Sequence, residues 1–84
     1  MTGSIYVINP NCLTGVTRGI DHAMEPFRRA GLPPVICLDL PDGPPGIQSQ
    51  RDVDSVVAPL LGKAAELEDS AAAFVIACFS DPGM

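Results

Sequence analysis

The amino-acid sequence predicts a three-layer α/β protein in which three parallel strands alternate with two helices. Three short apolar segments, at positions 4–8, 34–40 and 72–78, have the composition of strands that are buried in a sheet. The two stretches between them carry apolar residues at helical spacing. An order of strand, helix, strand, helix and strand predicts right-handed crossovers and a parallel sheet.

The first strand and the first helix are predicted in the amino-terminal part of the chain. The strand, SIYVI at 4–8, ends at Asn9-Pro10-Asn11. The helical pattern that follows has Thr14 as its candidate N-cap and Gly31 as its candidate C-cap. Pro26 interrupts this pattern, which predicts either a kink or a short second helix with Pro26 at its first position.

The second half of the sequence repeats the alternation of strand and helix. The second predicted strand, PVICLDL at 34–40, is followed by a loop at 41–46 that is too rich in proline and glycine for a regular element. Loops of this kind often border binding sites. An apolar stripe that begins after Ser49 or Asp52 predicts the second helix, with a bend near Pro59.

The predicted topology brings two loops together. In the flavodoxin-like strand order 2-1-3, the first strand lies between the second and the third. The loops at 9–12 and 78–81 would then be neighbours at the position where such sheets bind ligands. With 84 residues and no visible linker or internal repeat, the chain has room for one small structural unit.

Composition and charge argue against several classes of function. Ten acidic and five basic residues give a net charge of −5 without a basic stripe, so we expect no nucleic-acid partner. The longest apolar stretch is far shorter than the ~20 residues of a membrane helix. No secretory signal opens the chain, so we expect a cytoplasmic protein with no membrane partner. The three cysteines form no CxxC pair, which argues against a disulfide framework and a zinc site.

Cys78 is the strongest candidate for a catalytic group. It ends the third predicted strand, and ligands bind outside the carboxyl ends of parallel strands. A helix with Ser80 or Asp81 as N-cap and Pro82 at its first position would place unpaired N–H groups beside the sulfur and favour the reactive thiolate. The alternative is that Cys78 is a small buried side chain, as free cysteines often are.

Asn11 is the second candidate, because its amide could bind a carboxylate or carbonyl of a substrate; the alternative is a turn residue that satisfies backbone groups. Cys12 lies in the same loop and could take part in the chemistry; the alternative is that it only packs within the loop. Cys37 is expected in the core, and His22 on a solvated helix surface. Because GxGxxG, Walker A, GxSxG and metal-ligand motifs are absent from the sequence, we expect no cofactor and no metal.

Two motifs taken together resemble a known family. INPN at 8–11 is followed by Val16-Thr17, and VIACFSDPG lies at 75–83. With these motifs the sequence resembles the amino-terminal part of a hydantoin or allantoin racemase of the aspartate/glutamate racemase superfamily. The CFSDPG form is similar to the hydantoin branch.

This resemblance implies racemisation of a hydantoin or a related amino-acid derivative, without a cofactor, by two cysteines on opposite faces of the substrate. Cys78 would be one of the two acid/base residues. Asn11 and the backbone around Phe79 and Ser80 would hold substrate carbonyls, and Ile47 would line the pocket. Association with further copies of the same chain, as a homo-oligomer, is an open alternative.

The sequence departs from the family pattern in two places. Cys12 and Leu13 stand where the family usually has Thr or Ser, and no residue matches the family's second cysteine, which belongs to a later strand end. We therefore expect residues 1–84 to be the truncated amino-terminal portion of a racemase-type domain, inactive alone. Two alternatives stay open: a one-cysteine decarboxylase or cis-trans isomerase of the same superfamily, and a non-catalytic remnant or binding module in which Cys78 is inert.

Overall fold

The computed structural model describes residues 3–47 and 49–78 and contains a three-stranded parallel sheet with helices between the strands. The regular elements are, in chain order, β1 (Ser4–Asn9), α1 (Thr14–Ala23), β2 (Val35–Asp39), α2 (Gln50–Ser55), α3 (Val57–Leu67) and β3 (Ala71–Ile76). The strand order is β2-β1-β3. The predicted α/β, flavodoxin-like half-domain with order 2-1-3 is therefore confirmed.

The central strand β1 is the most buried of the three because it has a neighbour on both sides. Its register pairs Ile8 with Leu38 of β2 and with Ile76 of β3. The core lies on the face of the sheet that packs against α3 and Val56, and its buried residues are Tyr6, Ile8, Leu40, Val56 and Leu60. Burial of each large apolar side chain contributes about 1.5–3 kcal/mol, so this cluster is a main source of stability.

Helix α1 is shorter than the sequence predicts. It ends at Ala23, and Pro26 lies in a separate 3₁₀ turn, Glu25–Phe27, at the second position and not the first. The α-helix does not continue through Pro26 because proline has no N–H donor and its ring clashes with the carbonyl four residues earlier. Thr14 is the first helical residue, and Leu13 is the N-cap in place of the predicted Thr14.

Arg28 ties this helical segment to the free edge of β2. Its guanidinium donates to the Val35 carbonyl oxygen, at 3.3 Å from Nε and 3.0 Å from Nη2. The same group pairs with Asp21 and, at 3.0 Å, with Glu25. Gly31 has a φ of +87° and lies in the turn before β2, so it does not cap α1 as predicted.

The second helical region is divided into two helices. Ser49 is the N-cap of α2, and its hydroxyl oxygen accepts from the Asp52 N–H at 3.2 Å, in agreement with one of the two predicted starts. The break falls at Val56 and not at Pro59. In a continuous helix the Pro59 ring would clash with the carbonyl of Ser55, so the chain breaks one turn earlier and Pro59 lies in the first turn of α3.

The outer strands are more exposed than β1. In β2, Ile36 is 38% exposed, which corrects the prediction of a fully buried second strand. In β3, Phe74 is 37% and Val75 is 47% exposed, in keeping with its place at an edge of the described sheet. Within the described residues, β2 and β3 each pair with β1 only.

Candidate functional site

The polar and cysteine residues of interest lie at one edge of the sheet, at the carboxyl ends of its strands. Asn9 ends β1, Asp39 ends β2, and Cys78 follows the end of β3 by two positions. Because the strands are parallel with β1 in the centre, the loop after β1 lies between the other two strand ends. This edge is the candidate functional site.

Two loops contact each other at this edge. The Leu40 N–H donates to the Asn11 carbonyl oxygen at 3.1 Å, and the Cys12 N–H donates to the Pro44 carbonyl oxygen at 3.0 Å. These backbone bonds join the loop after β1 to the proline- and glycine-rich loop after β2. The second loop therefore borders the candidate site, as its composition predicts.

Replacing Gly43 with alanine is expected to lower the free energy of unfolding by about 1–3 kcal/mol, the range for overpacked positions. The added Cβ would lie 2.5 Å from the Pro10 carbonyl oxygen and 3.1 Å from the Leu40 carbonyl oxygen, so the two loops must separate. Urea titration followed by circular dichroism measures this change.

Gly62→Ala is the matched control for Gly43→Ala. Gly62 lies within α3, and an added Cβ there would meet nothing within 4 Å. Alanine is preferred to glycine inside a helix, so this variant should gain about 0.5–1 kcal/mol of stability. If Gly43→Ala were as stable as the unmodified protein, the close approach of the two loops would have no structural importance.

Hydrogen bonds within the Asn9-Pro10-Asn11 motif hold the side chain of Asn11. Its Oδ1 accepts from Asn9 Nδ2 at 2.8 Å and from the Leu13 N–H at 2.9 Å. Its backbone N–H donates to Asn9 Oδ1 at 3.3 Å. In the described part of the chain, Asn11 Nδ2 has no hydrogen-bond partner. The carbonyl end of Asn11 therefore stabilises the turn, and its amide N–H groups are unpaired among the residues that the structure describes.

Cys78 lies beside this motif. The Ala77 N–H donates to the Ile8 carbonyl oxygen at 2.9 Å, which extends the pairing of β3 with β1 past Ile76. The Cys78 N–H donates to the Ile76 carbonyl oxygen at 3.0 Å, so the backbone turns at the end of the strand. The last pair of the β1–β3 register is Ile8 with Ile76, and Cys78 follows two positions later. Its side chain is half-buried, so it is neither a core residue nor fully solvated.

The other two cysteines have different surroundings. Cys12 is half-buried in the loop after β1. Cys37 was expected in the core but is only half-buried, beside Arg28. Burial raises the pKa of the Cys37 thiol and Asp21 raises it further, while Arg28 opposes the shift. Cys37 therefore favours the thiol form, which is the unreactive one.

Three further residues were predicted to contact the substrate. Ile47 is half-buried and packs against the core cluster below the site, so its predicted place in the pocket wall stays a prediction. Phe79 and Ser80 lie outside the described residues, and their predicted contacts with substrate carbonyls are likewise untested.

Sequence reasoning missed the polar residues that support Asn11. Asn9 is 2% exposed and Thr17 is 8% exposed, and the two are joined by a hydrogen bond from Asn9 Nδ2 to Thr17 Oγ1 at 3.2 Å. Thr17 Oγ1 in turn donates to Asp39 Oδ2 at 3.1 Å. One signal was present in the sequence: a threonine within the apolar stripe of α1, next to Val16, needs a polar partner when it is buried.

A groove lies next to the strand-end site and shares Asp39 with it. This groove of about 570 Å³ opens beside the free edge of β2, and its lining includes Thr17, Asp39 and Lys63 but neither Asn11 nor Cys78. The candidate site is therefore identified by the strand ends and their hydrogen bonds, and not by cavity size.

The described residues were also searched for metal sites and for membrane-spanning helices. Among residues 3–47 and 49–78, no group of three or more histidine, cysteine, aspartate or glutamate side chains is arranged to hold a metal ion. In the same part of the chain, no helix has the length and apolar character needed to span a membrane.

The strand order, the contacting loops and the strand-end cysteine define an α/β protein whose candidate site residues lie at the carboxyl edge of a parallel sheet. Over residues 5–84 the sequence matches the family described as Asp/Glu/Hydantoin racemase. The chain therefore belongs to the Asp/Glu/hydantoin racemase family.

A curated relative agrees with this family. The chain is 33% identical over 81 residues to the hydantoin racemase of Pseudomonas sp. (strain NS671). The match covers 95% of this chain and 32% of that protein, so the chain spans about a third of the length of this relative. No solved structure matches the chain.

Proposed function

We propose that this chain supplies one side of the active site of a racemase that acts, without a cofactor, on hydantoins or related amino-acid derivatives. Family membership and the similarity to a hydantoin racemase support the reaction class. The observation that carries the assignment to this site is the parallel pairing of β1 with β3, which sets Cys78 beside the loop that holds Asn11.

The reaction in this proposal is a proton transfer at the carbon next to a carbonyl group. The Cys78 thiolate removes the hydrogen from C5 of the hydantoin ring, so the C–H bond breaks and an S–H bond forms. The electron pair moves toward the neighbouring carbonyl oxygen and gives an enolate. A second acid returns a proton to the opposite face of the ring, and the product differs from the substrate only in configuration.

Asn11 has the electrostatic role in this proposal. Its Oδ1 is occupied by two donors, and its Nδ2 has no partner in the described residues. An amide N–H aimed at the carbonyl oxygen would stabilise the negative charge that develops there when C5 loses its proton. Such a donor accelerates proton removal because it binds the enolate more strongly than the ground-state carbonyl.

The second acid is proposed to be a thiol on the opposite face of the ring, as the family resemblance implies. Cys12 is a poor candidate for this group because its loop lies at the same edge of the sheet as Cys78. No residue of this chain matches the family's second cysteine.

The experiment follows hydrogen exchange at C5 of a 5-alkyl hydantoin in D₂O. It uses the complete product of the reading frame that encodes these residues and one enantiomer of the substrate. Loss of the C5 proton signal by NMR and loss of optical rotation should both proceed faster than in buffer. Aspartate and glutamate serve as comparison substrates, since the family description includes them. Exchange no faster than in buffer for the hydantoin would overturn the proposed substrate class.

A further inference from the structure

A chain of side-chain hydrogen bonds connects the ends of two strands through α1. Thr17 Oγ1 donates to Asp39 Oδ2 at 3.1 Å, and the same oxygen accepts from Asn9 Nδ2 at 3.2 Å. Asn9 Nδ2 also donates to Asn11 Oδ1 at 2.8 Å. The two middle members are buried, whereas Asn11 is half-buried at the site. The chain of bonds therefore runs from β2, through the protein interior, to the residue proposed to contact the substrate.

The donors and acceptors of this network favour one orientation of the Asn9 amide. Asn9 Oδ1 accepts from the Asn11 backbone N–H, so the amide end of Asn9 faces both Thr17 and Asn11. Because Thr17 accepts from Asn9, its single hydroxyl proton must go to another acceptor. Asp39 Oδ2 is the nearer acceptor, at 3.1 Å, and the Leu13 carbonyl oxygen is the weaker alternative, at 3.5 Å.

The direction of these hydrogen bonds determines which end of the Asn11 amide can bind a ligand. If Asn9 rotated its amide by half a turn, two carbonyl oxygens would face each other between Asn9 and Asn11. Asn11 could relieve that repulsion only by rotating as well, and the Leu13 N–H would then lose its acceptor. The network thus favours the orientation in which Asn11 presents N–H donors.

We propose that Thr17 and Asp39 are positioning residues that hold the amide of Asn11 with its N–H donors toward a ligand oxygen. This inference rests on the proposed function for its catalytic consequence, but the orientation of Asn11 is a property of the chain itself. Neither residue has to touch the substrate. Thr17 acts because a buried Asn9 amide needs its hydroxyl as an acceptor, and Asp39 acts because that hydroxyl needs an acceptor in turn.

Thr17→Val is the variant that tests the network, and Thr17→Ser is its matched control. Valine keeps the shape of threonine but leaves one buried N–H of Asn9 without an acceptor. Serine keeps the hydroxyl. Asp39→Ala should act in the same direction as Thr17→Val but more weakly, because the Leu13 carbonyl oxygen can accept the Thr17 proton instead.

The first measurement needs no activity. The order parameter of the Asn11 side-chain NH₂ group is measured by ¹⁵N relaxation in the complete product of the reading frame that encodes these residues. We expect the unmodified chain and Thr17→Ser to give values near those of rigid groups, about 0.8, and Thr17→Val to fall below about 0.6. An unchanged order parameter in a folded Thr17→Val chain overturns the positioning role, whether or not the protein is a racemase.

The second measurement is a double-mutant cycle on C5 exchange in the complete protein. Asn11→Ala should lower kcat by about 10²–10³-fold, as removal of one oxyanion donor does. Thr17→Val should lower kcat about tenfold with little change in KM, because the lost contact is strongest in the transition state. Combined with Asn11→Ala, Thr17→Val should lower kcat no further.

The outcomes of this double-mutant cycle distinguish the positioning role of Thr17 from the proposed racemase function. A further tenfold loss in the double variant would mean that Thr17 does not act through Asn11, and it overturns the positioning role. A Thr17→Val enzyme with the kcat of the unmodified protein overturns it as well. Absence of exchange in the unmodified protein refutes the proposed function alone, and the order parameter then decides the positioning role.

Discussion

Cys78→Ala is expected to lower the rate of C5 hydrogen exchange by about 10²–10⁴-fold, the usual contribution of a positioned acid/base group. The expectation follows from the place of Cys78, next to Ala77, whose N–H donates to the Ile8 carbonyl oxygen just before the Asn9-Pro10-Asn11 loop. Alanine fits the same space but has no proton acceptor. NMR measures the exchange of a single hydantoin enantiomer in D₂O.

Cys37→Ala is the matched control for this variant. Cys37 is also half-buried and also belongs to the sheet region, but it lies beside Arg28 and Asp21 and not at the carboxyl edge. Its replacement should leave exchange within about twofold of the unmodified rate, since surface and half-buried changes away from the site have small effects. A Cys78→Ala protein that keeps more than a tenth of the exchange rate would contradict the acid/base role.

The sequence was sufficient to predict the architecture because each element has its own local signal. Alternating strand and helix patterns predict a parallel sheet through general rules of chain connection, and the order β2-β1-β3 was expected from the flavodoxin-like arrangement. The helix boundaries were less predictable. Pro26 and Pro59 were recognised as interruptions, but the position of each break depends on which carbonyl the ring meets, and this is one turn earlier in the chain.

The candidate site was predictable only in part. Strand ends can be located from sequence, and they point to Asn11 and Cys78 without any knowledge of contacts. The bond from Thr17 to Asp39 joins positions 22 residues apart, and its existence depends on how α1 packs on β2. The approach of Gly43 to Pro10 likewise depends on the path of a loop with no regular structure. Such contacts follow from packing geometry, which residue patterns do not encode directly.

The central strand contributes both to the stability of the fold and to the geometry of the candidate site. β1 pairs with both neighbours, supplies two members of the core cluster and ends at Asn9, where the buried hydrogen-bond network begins. The most buried of the three strands thus also supports the residues proposed to bind substrate. A loss of packing at the end of β1 is therefore expected to affect the whole chain and not a local region.

Ile8→Ala is expected to lower the free energy of unfolding by about 2–5 kcal/mol, the range for large-to-small changes in a core. Ile8 is 1% exposed and packs within the cluster that joins the sheet to Val56 and α3. An 84-residue domain has a total stability of roughly 4–13 kcal/mol at about 0.05–0.15 kcal/mol per residue. The variant should therefore lose a large part of its stability, and a urea titration followed by circular dichroism measures the loss.

Ile36→Ala is the matched control, because it removes the same atoms from a neighbouring strand. Ile36 lies in β2 and is 38% exposed, so less apolar surface returns to water and no closed cavity forms. Replacing Ile36 should lower the free energy of unfolding by less than about 1.5 kcal/mol, which leaves a difference between the two variants of at least about 0.5 kcal/mol. Equal costs for the two variants would mean that the core is not concentrated on β1, and the link between strand packing and the site at Asn9 would then lose its physical basis.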